Sequence, residues 1–283
     1  MKPVEPWLDA DKQICIVPDK ILNYLPFGAL ITPSGKYLME EKLLGRAPSS
    51  SIFITCSDSA AERAAAVNER LLSIGDPKFD RQYFKSYNYL PAAQEEATRI
   101  SMLYKPSLLL VGPEAVKKTV KAEMMKSAVI HLAMHAVTEA HSSMRSKLLL
   151  AKECNQAACQ QEPDGVLYAD EIYNLSLPLA RLVVLSSCRS GVENYYSGEG
   201  MVGISRPFIA QRVPLVVASL WPVESGATAA LMMRFHKYRK AGEGMPTSVA
   251  LRRAQQDMLD PDNQYHHPYY WAGFTLIGGY ARF

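Results

Sequence analysis

The chain has 283 residues, of which 48% are hydrophobic and 21% are charged. Since a domain takes roughly 150 residues, this length predicts one large domain or two small ones. The composition excludes collagen-like, disordered and disulfide-stapled proteins. The formal net charge is only +3, so we expect neither nucleic acid nor an anionic membrane as a partner.

The five cysteines are an odd number and lack the spacing of a small disulfide-rich domain, so we expect reduced thiols and a cytoplasmic location. The first residues have no charged-then-apolar signal pattern. No apolar stretch approaches the ~20 residues needed to cross a bilayer, so we expect no membrane span.

The N-terminal region predicts a strand-rich lobe. Residues 14–17 and 51–55 are strand candidates, and residues 25–30 form a turn that enters another strand. Ser59 and Glu62 have the spacing of a capping box, which predicts that a helix begins at this point.

From residue 71 onward, short apolar runs alternate with helical patterns, which is typical of an α/β protein. Three of the runs are apolar nearly throughout, as strands covered on both faces are. Right-handed crossovers between such strands give a doubly wound sheet. We predict strands at residues 71–74, 108–111, 129–134, 182–185, 215–220 and 274–277, and helices at about 91–104, from 112, 200–211, 225–240 and 247–259.

Two chemically reactive residues follow predicted buried strands. His135 follows the run 129–134, and Cys188 follows the run 182–185. In open α/β sheets, ligands bind beyond the carboxyl ends of the strands. A nearby imidazole can take the proton of a thiol, generate the attacking thiolate and later protonate a leaving amine. The placement predicts a nucleophilic His–Cys pair.

The alternative for both residues is structural. Free cysteine is among the most buried residue types, and a histidine beside a strand often only completes the core. His131, four positions before His135 on a strand-like run, is predicted as a core histidine rather than a metal ligand. Cys154 and Cys159 form a lone pair without a matching second pair, so we expect no zinc site.

At these residues the sequence resembles the CHAT family, caspase-like domains of the same clan as caspases and separases. The similarity extends over nearly the whole chain, and its motifs occur in the family's order. They lie at residues 16–19, 25–30, 130–135, 164–167, 169–172, 183–191, 198–200, 218–223 and 267–272.

The resemblance implies an α/β fold: a caspase-like three-layer sandwich with a mostly parallel sheet and helices on both faces. Residues 1–65 would be a degenerate caspase-like part, and residues 66–283 the peptidase core. The family's catalytic histidine falls on His135 and its nucleophile on Cys188. The oxyanion hole would use the backbone N–H groups of Ala136 and Cys188. No cofactor or metal is required.

The chain departs from the family after the catalytic histidine, where glycine is usual and Ala136 stands instead. Alanine is confined mostly to negative φ. If the turn requires positive φ, we expect the oxyanion hole to form only after a rearrangement.

The resemblance also implies a groove for an extended peptide along Ser219, Leu220 and Trp221, with backbone pairing of the strand-addition kind. Trp221 has the alternative of a packing residue at the rim. Asp170 and Glu199 are the acidic candidates for substrate binding, or else bind loop amides. Basic-specific relatives often carry Asp two positions before the nucleophile. Ser186 stands there, so strong Lys/Arg selectivity is not expected.

Family members usually follow helical repeats in longer chains. We therefore expect a cysteine endopeptidase with a specific protein substrate, gated by a regulatory module or partner in prokaryotic (including antiviral) defence or signalling. Residues 151–165 and 197–200 are the segments expected to move. Two alternatives stay open: a catalytically silent interaction domain, and an acyl-transfer enzyme that uses the same dyad.

Overall fold

The computed structural model describes residues 12–64, 69–139, 143–153, 165–186, 202–241 and 245–283. Eight strands form one sheet: β1 (Gln13–Ile16), β2 (Leu43–Arg46), β3 (Leu71–Gly75), β4 (Ser107–Val111), β5 (Val129–Ala133), β9 (Leu182–Leu185), β10 (Leu215–Ser219) and β11 (Phe274–Gly278). Their order in the sheet is β1-β2-β11-β10-β9-β5-β3-β4. Neighbouring strands are parallel except β10 and β11.

Helices cover both faces of this sheet, which confirms the predicted three-layer α/β architecture. The helices are α1 (Leu38–Glu41), α2 (Ser50–Glu62), α3 (Pro91–Ser101), α4 (Lys117–Met124), α5 (Ala169–Tyr173), α6 (Val202–Ala210), α7 (Ser225–Arg239) and α8 (Thr247–Met258). Side chains of α4, α5 and α6 belong to the core on one face, and those of α1, α3, α7 and α8 to the core on the other, while α2 contributes to both.

Strand β5 lies in the middle of the parallel part and is buried along its whole length. Ile130 and Leu132 pack with one set of helices, and Val129 packs with the other. Alternate residues of a strand point to opposite faces, so a strand between two helical layers must be apolar on both. His131 is the exception in this run, and it is fully buried, as predicted.

A second, antiparallel sheet joins β6 (Ala136–Val137), β7 (Lys147–Leu149) and β8 (Val166–Tyr168). The sequence did not predict it, because two or three residues are too few to establish an alternating pattern. It begins directly after His135 and therefore fixes the direction in which the chain leaves the central sheet.

The N-terminal prediction was wrong at two points. Residues 51–55 form part of helix α2 rather than a strand, because the Ser49 hydroxyl caps the helix by accepting from the Ile52 N–H at 3.2 Å. Ser59 and Glu62, predicted as a helix start, lie in its last turn. The predicted turn at 25–30 contains a short 3₁₀ helix, Phe27–Ala29.

The strands and helices predicted after residue 71 are confirmed, with ends displaced by a few residues. From the N-terminal region, β1 and β2 pair with each other and extend the main sheet at β11. The division into a lobe of residues 1–65 and a core of residues 66–283 stays a prediction. Within the described residues, no helix is long and apolar enough to cross a membrane.

Gly75 ends β3 where helix α3 crosses the strand closely. A methyl group on Gly75 would lie 2.6 Å from the Ala97 Cβ and 2.8 Å from the Ala93 carbonyl oxygen. Because neither backbone nor methyl group can move aside freely, we expect Gly75→Ala to lower the free energy of unfolding by about 1–3 kcal/mol, as overpacking does. Urea denaturation measures this loss.

Gly28→Ala is the matched control, since its new methyl group would meet the Met39 Cβ at 3.4 Å, an ordinary contact. A Gly75→Ala protein as stable as this control would contradict the close packing of α3 on β3.

Candidate active site

The carboxyl ends of parallel neighbours meet at one edge of the main sheet. Strand β5 pairs with β3 on one side and with β9 on the other. Asp76 directly follows β3, and Ser186 directly follows β9. One residue, Met134, separates His135 from the end of β5. These three polar residues are buried, with 8%, 2% and 2% of their surfaces exposed. Buried polar groups at such an edge indicate a site rather than a solvated surface.

The His135 ring is held by hydrogen bonding and by aromatic packing. Its Nε2 lies 2.6 Å from the carbonyl oxygen of Asn88. A carbonyl only accepts, so Nε2 carries the hydrogen, and Nδ1 carries the lone pair in the neutral ring. Phe79 and Tyr87 pack edge-on against the imidazole, with ring centroids 5.4 and 4.9 Å away. The orientation of the ring and its tautomer are therefore both fixed.

Asp76 supports this histidine from the end of β3. Its Oδ1 accepts a hydrogen bond from the Leu90 N–H at 2.7 Å, and its own N–H donates to the Ala133 carbonyl at 3.0 Å. The first bond anchors the loop that presents the Asn88 carbonyl to His135. Asp76 adopts a φ of +43°, in the left-handed region that Asp tolerates better than most residues.

Two opposing effects act on the pKa of Asp76. Burial of the carboxyl is the larger and raises the pKa above 3.8, whereas the Leu90 N–H and the charge of His135 lower it. A carboxylate kept buried beside an imidazole stabilises the positive charge that the ring gains when it takes a proton.

Ala136 opens β6, and its φ is not in the left-handed region: among the described non-glycine residues, only Lys20, Asp76 and Arg212 are. Its partner in β7 is Leu148, and the neighbouring bond runs from the Leu149 N–H to the His135 carbonyl. This pattern makes Ala136–Leu148 a non-hydrogen-bonded pair, so the Ala136 N–H points away from β7.

The predicted groove residues lie at the end of β10. The Leu220 N–H donates to the Gly273 carbonyl at 2.9 Å, so the main-chain groups of Ser219 point to the opposite edge. Strand β10 pairs with β9 only as far as Val217. Beyond that pair, no further strand pairs with this edge in the described part of the chain.

The side chains of the three residues are engaged within the fold. Ser219 is fully buried and donates to the Trp221 carbonyl at 2.7 Å. Leu220 is 6% exposed. Trp221 is half-buried, donates from Nε1 to the Tyr269 carbonyl at 3.0 Å and stacks on the Tyr269 ring. The packing alternative for Trp221 therefore has contacts that support it.

Asp170 is exposed in the first turn of α5, and its Oδ1 accepts from the Glu171 N–H at 2.7 Å. Cys188 and Glu199 lie outside the described residues, as do Cys154 and Cys159. The segment 197–200 and most of the segment 151–165, both predicted to move, also lie there.

The two described cysteines are poorly suited to nucleophilic attack. Burial raises the pKa of the Cys56 thiol to about 11 and also raises that of Cys15. A higher pKa leaves less thiolate at neutral pH. Among the described residues, no group of three or more His, Cys, Asp or Glu side chains is arranged to hold a metal ion.

Comparison with known protein families matches residues 1–279 to the sequence model of the CHAT domain. The chain belongs to the CHAT domain family. Tetratricopeptide repeat protein 28 of Homo sapiens is 26% identical over 302 aligned positions, which cover 94% of this chain and 12% of that protein. The Mus musculus protein of the same name is also 26% identical and is covered to the same extent. This CHAT domain therefore spans about one eighth of the length of these relatives.

Two solved structures have a similar fold. Separase in the Saccharomyces cerevisiae separase–securin complex aligns with a TM-score of 0.55 at 12% identity, over 93% of this chain and 15% of that one. The Arg-specific cysteine proteinase gingipain R aligns with a TM-score of 0.55 at 9% identity, over 89% of this chain and 56% of that one. At these identities the likeness concerns the fold, which is caspase-like.

Sequence reasoning missed Asp76 and Asn88. In the sequence, Gly75-Asp76-Pro77 has the composition of a turn that ends a strand. Asp76 is nevertheless a polar residue after a buried parallel strand, as His135 is, and this shared pattern is the signal that marks it. Asn88 contributes a backbone carbonyl, which every residue has, so no sequence signal marks it.

We expect Asp76→Asn to make the protein more stable at neutral pH. The pKa of Asp76 is raised in the folded state, so stability falls as the pH rises from 3.8 through the folded pKa. Asn keeps an oxygen for the Leu90 N–H but carries no charge to desolvate. The gain in urea midpoint should be present at pH 7 and shrink below pH 3.8.

Asp80→Asn is the control of opposite sign. A hydrogen bond from Lys152 at 2.8 Å lowers the pKa of Asp80, so its charge stabilises the fold above pH 3.8 and this contribution is lost as the pH falls through the folded pKa. Asp80→Asn should therefore destabilise the protein at pH 7. A loss of stability in both variants would contradict the account of Asp76.

Proposed function

We propose that this CHAT domain is a cysteine endopeptidase in which His135 activates Cys188. The observation that carries the proposal is the fixed His135 imidazole at the end of β5, beside the strand that leads to Cys188. Leu132 and Leu185 pair across these strands, and His135 and Cys188 each follow by three residues in the sequence. The raised pKa values of Cys15 and Cys56 also favour Cys188 over those two thiols.

The reaction follows from the tautomer of the ring. The Cys188 thiol gives its proton to Nδ1, while Nε2–H stays bound to the Asn88 carbonyl, and Asp76 stabilises the resulting imidazolium. The thiolate attacks the scissile carbonyl carbon, and the imidazolium then protonates the leaving amine. Water, deprotonated by the same imidazole, hydrolyses the thioester and restores the thiol.

The negative oxygen of the tetrahedral intermediate would be held by the N–H groups of Ala136 and Cys188. The direction of the Ala136 N–H, away from β7, supports this role. Each such donor contributes about 2.7–4 kcal/mol to the stabilisation of the transition state.

The substrate is a protein that binds in extended form beside Ser219, Leu220 and Trp221. The main-chain groups of Ser219 are the candidates for this pairing, since those of Leu220 face β11 and the Trp221 carbonyl already accepts from the Ser219 hydroxyl. Glu199 and Asp170 remain candidates for binding a substrate side chain, with Asp170 already accepting a bond from its own helix. Backbone pairing supplies affinity, and side-chain pockets supply selectivity.

The proposed setting is a larger assembly in the cytoplasm, where thiols stay reduced. The similarity to tetratricopeptide repeat protein 28 supports a helical-repeat module as the regulatory partner. A peptidase of this kind would act in defence, including antiviral defence, or in signalling once that module responds to a trigger. The proposed chemistry requires no cofactor.

A second candidate function is that of a catalytically silent interaction domain. The same repeat-protein similarity favours it, because repeat proteins commonly assemble other proteins. The retention of His135 and Cys188 favours the peptidase.

We expect Cys188→Ala to abolish cleavage and His135→Ala to reduce it by about 10²–10⁴-fold, the usual contribution of a general acid–base group. Proteome-wide mapping of new N-termini after incubation with each variant measures this loss. The assay needs the domain both alone and with its repeat-containing partner, because a gated enzyme is silent alone.

Cys15→Ala is the matched control, and it should cleave as the wild type does. Identical N-termini from the wild type and both dyad variants would rule out the peptidase and leave the interaction domain.

Ala136→Gly should leave the cleavage rate unchanged within about twofold. The expectation of a rearrangement depended on positive φ at this position, and Ala136 does not adopt it. Glycine keeps the N–H donor, so the oxyanion hole loses nothing. The measurement is the rate on the best substrate found by the N-terminus mapping. A large rise in rate would restore the idea that Ala136 restrains the enzyme.

A further inference from the structure

A network of buried polar side chains lies between the main sheet and helices α3 and α7. Its members are Glu96, Tyr104, His131, His236 and Arg239, each with 4% or less of its surface exposed. Burying this many polar groups is costly unless they bind one another. Their arrangement therefore needs an explanation beyond packing.

The network begins at Arg239, which an ion pair holds in place. Its guanidinium binds Glu69 at 2.6 Å, and Lys240 and Arg181 lie 3.5 and 3.9 Å from the same carboxylate. Burial would raise the pKa of Glu69, but these three cations, led by Arg239, outweigh burial and lower it. Glu69 is thus the counter-ion that holds Arg239 in place.

Arg239 determines the direction of the next bonds. A guanidinium only donates, so Nη1 donates to the Tyr104 hydroxyl at 2.9 Å, and that hydroxyl donates to His236 Nδ1 at 2.8 Å. Burial, followed by the charges of His131 and Arg239, lowers the pKa of His236 and keeps it neutral. Its hydrogen is then on Nε2, which lies 3.2 Å from His131 Nδ1.

His131 accepts on Nδ1 and therefore carries its hydrogen on Nε2, on the side of Glu96. That nitrogen is 2.9 Å from Glu96 Oε1, a close contact without the alignment of a hydrogen bond. The same oxygen accepts a short hydrogen bond from the hydroxyl of Ser186. The hydrogen bonds from Arg239 to His131 thus run in one direction, and Glu96 Oε1 lies between His131 Nε2 and the Ser186 hydroxyl.

We propose that Glu96 is a positioning residue for the nucleophile, because it holds Ser186 at the end of β9. This inference rests on the proposed function, in which Cys188 attacks. Cys188 follows Ser186 by two residues, a span of at most about 7 Å, so fixing Ser186 limits where the Cys188 thiol can stand relative to His135. Glu96 does not touch the substrate and acts only through Ser186.

Strand β3, which pairs with β5 on the side opposite to β9, offers an internal comparison. Ser73 is also a fully buried serine that bonds to α3, but its hydroxyl donates to the Ala97 backbone carbonyl at 2.9 Å. A backbone carbonyl is enough to satisfy a buried hydroxyl. A charged acceptor binds more strongly, and in this sheet it serves the one serine that leads into the nucleophile segment.

The test is the rate at which iodoacetamide alkylates Cys188, followed by mass spectrometry of the full chain. Displacing the thiol from His135 lowers the thiolate fraction. We therefore expect Ser186→Ala and Glu96→Ala to slow alkylation on the order of tenfold, the size of a hydrogen bond to a charged group. Glu96→Gln, which keeps the acceptor oxygen, should stay within about threefold of the wild type.

The controls are Ser73→Ala, which removes the comparable bond, and Ile100→Ala, which opens a cavity beside the same helix. Thermal unfolding verifies that each protein is folded at the assay temperature. Both controls should lower stability without slowing alkylation. The double variant Ser186→Ala/Glu96→Ala should be no slower than the slower single variant, because both remove one contact.

The outcomes separate the inference from the function on which it rests. A wild-type protein that is not alkylated at Cys188 refutes the proposed nucleophile. A wild-type protein alkylated at Cys188, with Ser186→Ala and Glu96→Ala alkylated as fast as Ser73→Ala, overturns the positioning role alone. Glu96→Gln as slow as Glu96→Ala also overturns it, since the acceptor would then not be what matters. If Glu96→Ala does not fold, Ser186→Ala tests the same contact from its other side.

Discussion

The parallel pairing of β5 between β3 and β9 is the constraint on which the other features depend. Parallel neighbours end at the same edge, so one pairing pattern brings Asp76, His135 and Ser186 together although they are far apart in the sequence. Such pairing also requires helical crossovers, and these supply the layers that bury both faces. The small sheet that starts at Ala136 then sets the direction in which the chain continues from His135.

Burial of the polar residues at this edge fixes their positions but costs free energy of desolvation. Asp76, Glu96 and His131 lie where water cannot solvate them, and each is compensated by specific partners: a backbone N–H for Asp76, Ser186 and His131 for Glu96, and His236 for His131. Residues with such constraints tend to serve function at the expense of stability. Buried charge also lies away from this edge, where Arg181 and Arg239 lie within 4 Å of the Glu69 carboxylate.

Family membership and fold are established by different observations. The match over residues 1–279 establishes that the chain is a CHAT domain, and the similarity to separase and gingipain R establishes the caspase-like architecture. Neither determines activity, because function resides in the site rather than in the fold. The contacts of His135 are therefore the firmer basis for the proposed chemistry, and the repeat-containing relatives are the basis for the proposed partner.

By itself, the sequence determined the α/β class and the buried strands around residues 129–134 and 182–185. It also determined that His135 follows the first of these strands. Apolar runs and the polar residues that end them are visible in the sequence without any knowledge of the fold. The sequence pattern wrongly predicted a strand at residues 51–55, where the Ser49 cap stabilises a helix. It did not predict β6, β7 and β8, because strands of two or three residues are too short to show an alternating pattern. The tertiary structure alone decided that the Asn88 carbonyl and Glu96 belong beside the site. Each acts through a contact between segments that are distant in the sequence. The sequence gives the identity of each residue, but only the fold determines which buried group it contacts.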